Sequence, residues 1–474
     1  MNQIARMWLT VGLAAIGLFP NSNRCHAAGR TNEKRPNVVF VLIDDMGYGD
    51  LSCTGNAHVL TENIDRLAAD GMLLTQFYVA SPICSPSRVG FTTGQFPARH
   101  GVHSYLASRK RNRERGMRDF LNPDVPCIAR AFQSAGYATA HFGKWHMGGG
   151  RDVDDAPLPS DYGFDRSLVS FEGLGDRVLP PGGARKSAEL GRGKIYEAEK
   201  YELTETYVNR AIDFIETNKE QPFYLHLWFN DVHDAHKPRE EHRQQYAKFE
   251  ANPYLPKFFG VLDEMDRQIG RLVQQIDDLG LRDDTIILIT SDNGPTAWKK
   301  YYREGHNPPG DTAGLRGRKW SLYEGGIRMP LVVRWPKKIP AGHVNETTVM
   351  TAVDFFPTLC TLANVDVGTA KFDGENLSAA FGSQTPRRKK RIMWEYGRDS
   401  SYLAPGLEYD QSPNLAIRDG DWKLLGNHGE DVWELYDLSN DPHETNNVAA
   451  TNEKVVAKMS KRLIDWRQSI PKFD

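Results

Sequence analysis

Asn37-Val38-Val39-Phe40-Val41-Leu42-Ile43 is followed at once by Asp44-Asp45, and this segment sets the architecture of the chain. The apolar run from Val38 to Ile43 shows no alternation with polar residues, so it predicts a strand buried on both faces, as in a parallel sheet. Open α/β sheets gather their ligands at the C-terminal ends of such strands. Two adjacent carboxylates at a buried strand end repel one another and call for a cation. The other reading is that Asp44 and Asp45 only cap a turn, and the run by itself leaves both open.

Three further segments repeat the pattern. Tyr137 to Phe142 reads as a strand leading into Gly143-Lys144-Trp145-His146, Phe223 to Phe229 leads into Asn230-Asp231-Val232-His233-Asp234-Ala235-His236, and Thr285 to Thr290 leads into Ser291-Asp292-Asn293-Gly294. Helical periodicity separates them: residues 61–70 with Thr61 as cap, 125–135, 201–217 and 254–279. Apolar strands that alternate with helices and share one polar edge predict an α/β enzyme built on a large, mostly parallel sheet sandwiched by helices. Residues 150–200, rich in Gly, Pro and charge, read as a long loop region that shapes the substrate site. Residues 330–335 read as a short strand and 353–363 as a helix. The basic tract Arg387 to Arg391 reads as an exposed boundary. Beyond it, short strands at 392–395, 415–417, 422–425 and 433–436 and a helix over 454–467 predict a small α+β subdomain with an antiparallel sheet and a covering helix. The expected division is therefore a catalytic domain over 35–386 and a subdomain over 387–474.

The 474 residues suffice for a large core, and a composition 40% hydrophobic and 25% charged is that of an ordinary globular protein. A formal net charge of −2 gives no reason to expect nucleic acid as a partner. The basic run Arg109 to Arg115 has two readings: a solvated face, or a contact for an anionic polymer. At the N-terminus Arg6, the apolar run Met7 to Phe19 and Cys25-His26-Ala27 form an export signal over residues 1–28, too short to span a bilayer comfortably and with no context for a stable lipid anchor. The expected location is periplasmic or secreted. Of five cysteines, Cys25 leaves with the signal, and the other four have no disulfide-like spacing.

One of the four stands in Cys84-Ser85-Pro86-Ser87-Arg88, just ahead of a segment that could enter a helix. A helix N-terminus with an arginine near it is suited to hold an anion. Lys144 and His146, two apart at a strand end, point the same way and could reach one anionic group. Each motif alone is weak, and a structural thiol in a turn explains the first as well.

Together these motifs resemble the type I sulfatases of the alkaline-phosphatase-like superfamily. The resemblance runs from Pro36-Asn37-Val38-Val39 to Trp433-Glu434-Leu435-Tyr436-Asp437-Leu438 and Asp441-Pro442, nearly the whole mature chain. Its most specific element is Cys84-x-Pro86-Ser87-Arg88, which in that family directs oxidation of the cysteine to formylglycine by a maturation enzyme. The resemblance implies Asp44, Asp45, Asp292, Asn293 and the modified residue 84 as metal ligands. An all-oxygen set of this kind suits one Ca2+ ion better than Mg2+ or zinc. It further implies Arg88 on the nucleophile, Lys144 and Lys319 on the sulfate, His146 as the base that triggers sulfate release, and His233 or Lys319 as the acid for the leaving oxygen. Many relatives carry a proline between the two histidines of the third motif, whereas this chain has His233-Asp234-Ala235-His236; of the two, His233 is taken to face the leaving group.

The expected activity is hydrolysis of a sulfate ester, with a sulfated glycan as the favoured substrate because of the export signal and the basic run. Two alternatives are a phosphohydrolase or phosphodiesterase of the same superfamily, and an inactive, exported sulfoglycan-binding protein.

Overall fold

A computed structural model describes residues 34–181, 185–398 and 402–473; the expected export signal lies outside them. In chain order its strands are β1 (Asn37–Ile43), β2 (Met72–Tyr78), β3 (Ala138–Lys144), β4 (Arg166–Ser170), β5 (Arg177–Leu179), β6 (Ile195–Glu197), β7 (Phe223–Trp228), β8 (Thr285–Ser291), β9 (Arg328–Arg334), β10 (His343–Asn345) and β11 (Met350–Thr351). Among the described residues they form one sheet in the order β10-β2-β9-β8-β1-β7-β3-β4-β5-β6, with β11 also on β2. From β8 to β6 every pairing is parallel. β9 runs antiparallel to β8 and to β2, so the sheet is mixed but mostly parallel.

The absence of alternation in β1 has the expected consequence. Val38, Phe40 and Leu42 pack into one core layer with Phe91, Phe355 and Leu359, while Val39, Val41 and Ile43 pack into the opposite layer. That second layer includes Tyr207, Phe214, Leu262 and Ile269 from the helices Leu203–Asn218 and Leu255–Asp278. The sheet is thus buried on both faces, and polar atoms find room only at its strand ends.

Two expectations need correction. Residues 150–200 are not one long loop, because β4, β5 and β6 extend the parallel sheet there. These strands are only three to five residues long, and β6 is exposed throughout, so they carry no hydrophobic signature. The tract Arg387 to Arg391 is not simply exposed. The Arg388 side chain is buried and pairs with buried Asp354.

Four more strands, β12 (Ile392–Glu395), β13 (Leu415–Asp419), β14 (Trp422–Gly426) and β15 (Trp433–Asp437), form the C-terminal antiparallel sheet. Met459 and Leu463 of the helix Glu453–Ser469 cover it by packing on Leu415, Ile417, Leu424 and Leu435. A buried polar cluster joins this sheet to the larger one: Lys423 Nζ lies 2.9 Å from both Glu324 and Glu444, and Tyr78 donates to Glu324 at 2.6 Å.

Candidate active site

Consecutive strand residues point to opposite faces, yet both aspartates after β1 reach one thiol. Asp45 adopts a left-handed conformation (φ 63°), which breaks the alternation. Cys84 Sγ then lies 3.3 Å from Asp44 Oδ1 and 3.9 Å from Asp45 Oδ1. Cys84 is the first residue of the helix Cys84–Thr93, whose ten residues are all buried, so the helix start is wedged against the strand ends.

One turn along that helix, Arg88 sets its guanidinium on Asp292, with Nε at 3.1 Å and Nη2 at 2.7 Å. Its Nη1 donates to the Lys144 carbonyl at 3.1 Å, which ties the ends of β3 and β8 together. Just before Lys144, Gly143 lets β3 lie close against β7: it has φ 118°, and a Cβ there would sit 1.8 Å from the Trp228 carbonyl oxygen. Lys144 Nζ is 2.5 Å from Asp44 Oδ2, and Lys319 Nζ is 2.6 Å from both oxygens of Asp45. Asn293 Nδ2 donates to Asp45 Oδ1 at 2.8 Å. Lys319 is held by its own N–H on the Pro295 carbonyl, and the next N–H, of Trp320, bonds the Pro82 carbonyl beside the Cys84 helix.

His146 is buried, with its ring edge-on to Phe171 at 4.7 Å, and neither ring nitrogen has a partner among the described residues. His233 Nε2 points into the site, 3.5 Å from Asp45 Oδ2, while its Nδ1 bonds the Asp234 carbonyl at 2.7 Å. His236 turns the other way. It bonds the Val232 carbonyl and packs on Phe258. The ten residues singled out from the sequence therefore come together in one cluster.

Asp44, Asp45 and Asp292 face Arg88, Lys144 and Lys319, three buried carboxylates against three buried cations. Burial works against ionising Asp44, but Lys144, His233, Arg88 and Lys319 hold it well below the usual carboxylate range. Burial, and then the Asp44 charge, push Asp292 up to about 7. Burial opposes charge on both lysines too, yet Asp44 and Asp45 keep Lys144 and Lys319 above the ordinary value. Burial, Asp292 and Asp44 raise the Cys84 thiol far above its usual value, so the unmodified cysteine is not a thiolate nucleophile.

The donor set fits a hard cation. Ligand atoms of Asp44, Asp45, Cys84 and His233 lie within 4.8 Å of one another, and Asn293 Oδ1 is a buried acceptor with no partner among the described residues. Carboxylate and amide oxygens are what Ca2+ or Mg2+ requires. A cluster already neutral in charge takes up a dication most readily together with an anion.

The basic run contributes less than its charge suggests. Residues Arg109–Glu114 form a short helix, and Arg109 is committed to Asp119, Asp154 and Asp155 at 2.6–3.2 Å. Sequence reasoning missed Lys200, whose Nζ bonds the carbonyls of His233 and Ala235, and the contact of Phe171 with Lys144 and His146. Lys200 stands among surface charges and Phe171 among turn residues, so no local pattern marks either.

Comparison with known proteins points the same way. N-acetylgalactosamine-6-O-sulfatase of Bacteroides thetaiotaomicron is 29% identical to this chain over 510 aligned positions, covering 91% of this chain and 93% of that protein. N-acetylgalactosamine-6-sulfatase of Mus musculus is 31% identical, covering 97% and 91%. Among solved structures, Ps i-CgsB in complex with k-i-k-neocarrahexaose superposes with a TM-score of 0.76 at 26% identity, covering 93% of this chain and 94% of that one. The phosphonate monoester hydrolase of Agrobacterium radiobacter shares the fold alone, with a TM-score of 0.61 at 22% identity. The family model described as Sulfatase matches residues 36–365, and that described as N-sulphoglucosamine sulphohydrolase, C-terminal, matches residues 317–469. The chain therefore belongs to the type I sulfatases of the alkaline-phosphatase-like superfamily and is a sulfuric ester hydrolase.

Proposed function

We propose that this sulfatase is exported to the periplasm or the medium and removes sulfate from a sulfated carbohydrate, with residue 84 oxidised to formylglycine and one Ca2+ bound. The observation that carries this reading is the setting of Cys84: its sulfur touches both Asp44 and Asp45, and Arg88, Lys144 and Lys319 ring it. An unactivated thiol in that position makes chemical sense as the precursor of another group. As a formylglycine hydrate, residue 84 would supply one hydroxyl to attack sulfur and a second whose deprotonation lets sulfate depart. Asp44, Asp45, Asp292 and Asn293, with residue 84, would hold the Ca2+, which supplies Lewis acidity toward sulfate oxygens.

The chain's own residues do the rest. Lys144 and Lys319 neutralise the sulfate as charge builds on its oxygens, and Arg88 fixes residue 84 relative to Asp292. His146, whose ring nitrogens are uncommitted, takes the proton that triggers sulfate release. His233 keeps its Nδ1–H on the Asp234 carbonyl and presents Nε2 to the leaving sugar oxygen; burial lowers its pKa, so a proton carried on Nε2 is readily given up. The sulfated sugars named for the relatives and for the bound structure support a glycan substrate here. A partner in maturation, the formylglycine-generating enzyme, is needed to oxidise Cys84.

The test is release of inorganic sulfate from sulfated galactosamine-containing and galactan oligosaccharides, set beside hydrolysis of matched aryl sulfate and aryl phosphate. Sulfate release from at least one glycan, with aryl phosphate turned over far more slowly than aryl sulfate, is the expected result. Dominant phosphate turnover contradicts it.

A further inference from the structure

His233 is carried by a loop, not by a strand, so something must hold its ring still. We propose that Lys200 is the positioning residue for His233, fixing the loop so that Nε2 faces the leaving oxygen of the substrate. The inference rests on the role given to His233 above.

Lys200 opens the turn Lys200–Glu202 that leads into the helix Leu203–Asn218. Its Nζ donates to the His233 carbonyl at 2.5 Å and to the Ala235 carbonyl at 2.8 Å. Two residues into the helix, Thr204 Oγ1 donates to Asp231 Oδ2 at 2.5 Å, so one helix start grips the loop on both sides of His233. Further along the loop, Tyr301 hydrogen bonds Asp234 and Lys300 lies 3.4 Å from the same carboxylate. The three successive carbonyls of the loop are therefore all engaged. Those of His233 and Ala235 face Lys200, and the one between them, of Asp234, accepts the bond from His233 Nδ1 at 2.7 Å.

That alternation makes the ammonium matter to chemistry. With carbonyls 233 and 235 turned toward Lys200, carbonyl 234 is turned toward the ring. Removing the ammonium leaves two carbonyls without their charge-assisted bonds and frees the peptide planes to rotate, which takes the ring's acceptor away. A misplacement of about 1 Å at a proton donor is enough to cost about 100-fold in rate. The loss should fall on substrates whose leaving oxygen needs a proton. A sugar alkoxide needs one, whereas a nitrophenolate leaves without help.

The experiment measures kcat/KM of Lys200→Met, His233→Ala and the double variant on a sugar sulfate and on 4-nitrophenyl sulfate. Lys200→Met is expected to lose about 100-fold on the sugar sulfate and less than about 3-fold on the nitrophenyl ester. The double variant should be no worse than His233→Ala by more than about 3-fold, because both changes remove one effect. Lys200→Gln keeps an uncharged donor group and should fall between wild type and Lys200→Met. Unchanged inhibition by inorganic sulfate would show that the sulfate-binding part of the site is intact. Equal losses of Lys200→Met or Lys200→Gln on both esters, or losses that multiply in the double variant, overturn the inference. If His233→Ala itself does not distinguish the two esters, the role given to His233 fails, and the inference with it.

Discussion

Lys319 Nζ lies 2.6 Å from both carboxylate oxygens of Asp45, the residue that also accepts from Asn293 and faces His233 at 3.5 Å. Both partners are almost wholly buried. Removing the ammonium strands a buried carboxylate, which costs about 3–5 kcal/mol where a buried pair is broken. Lys319→Ala is therefore expected to lower Tm and to reduce kcat by about 100- to 1000-fold, the scale of a lost transition-state donor. Thermal unfolding and steady-state kinetics on an aryl sulfate check both; a variant with normal kcat contradicts the role.

The carboxylate cluster predicts a stability that depends on the ion. Dialysis against a chelator should lower Tm and abolish activity, and Ca2+ should restore both. At a Ca2+ concentration 100 times Kd the gain is about 2.7 kcal/mol by mass action. Asn293→Ala and Asp292→Ala should lose most of the Ca2+-dependent rise in Tm; an undiminished rise in both places the ion elsewhere.

Two histidines beneath the site predict the response to acid. His226 stacks on Trp228 at 4.4 Å, and His141 lies edge-on to Trp145 at 5.0 Å. Burial pushes His141 down to about 3, and burial with His141 and Arg88 pushes His226 well below its ordinary value. The unfolded chain protonates both near about 6.5, so it binds more protons than the native state below that pH. The stability each confers is complete above about pH 6.5 and is lost as pH falls below that, toward about 3 for His141. His141→Phe keeps a ring for the contacts with Trp145, Phe164 and Trp228 and removes the titrating group. The variant should flatten the fall in urea midpoint between neutral pH and about 5; an unchanged slope contradicts this.

Exposed aromatic residues stand near each of the two site lysines. Phe171 is 45% exposed, with its ring 5.2 Å from Lys144 Nζ, and Trp298 is 37% exposed, edge-on at 4.7 Å to Trp320, the neighbour of Lys319. Such faces suit stacking on a pyranose ring. Phe171→Ala and Trp298→Ala should raise KM for a sulfated oligosaccharide about tenfold, the worth of one aromatic contact, with kcat little changed. A fall in kcat with KM constant would instead assign these rings to the chemistry.

The fold was legible where burial is two-sided. β1, β3, β7 and β8 lie side by side, each buried along nearly its whole length and followed by polar residues, and those four ends hold most of the site. β2 was not evident because its burial is mixed and its neighbours come from distant sequence. The strands β4 to β6 are too short for hydrophobic patterning to reveal them, and β6 is exposed besides. Arg388 reads as surface charge until Asp354, far back in the chain, is brought against it. At the site, motifs with distinctive residue types could be found in sequence. Lys200 could not, since its function depends on backbone carbonyls that have no sequence signature.

The most direct measurement is the mass of the peptide spanning Cys84, taken from protein produced in its native host, alongside the activity of Cys84→Ala. Replacement of the CH2–SH side chain by an aldehyde or its hydrate, with Cys84→Ala inactive on every sulfate ester, is the predicted result. An unmodified thiol in fully active enzyme, or an active Cys84→Ala variant, would contradict it.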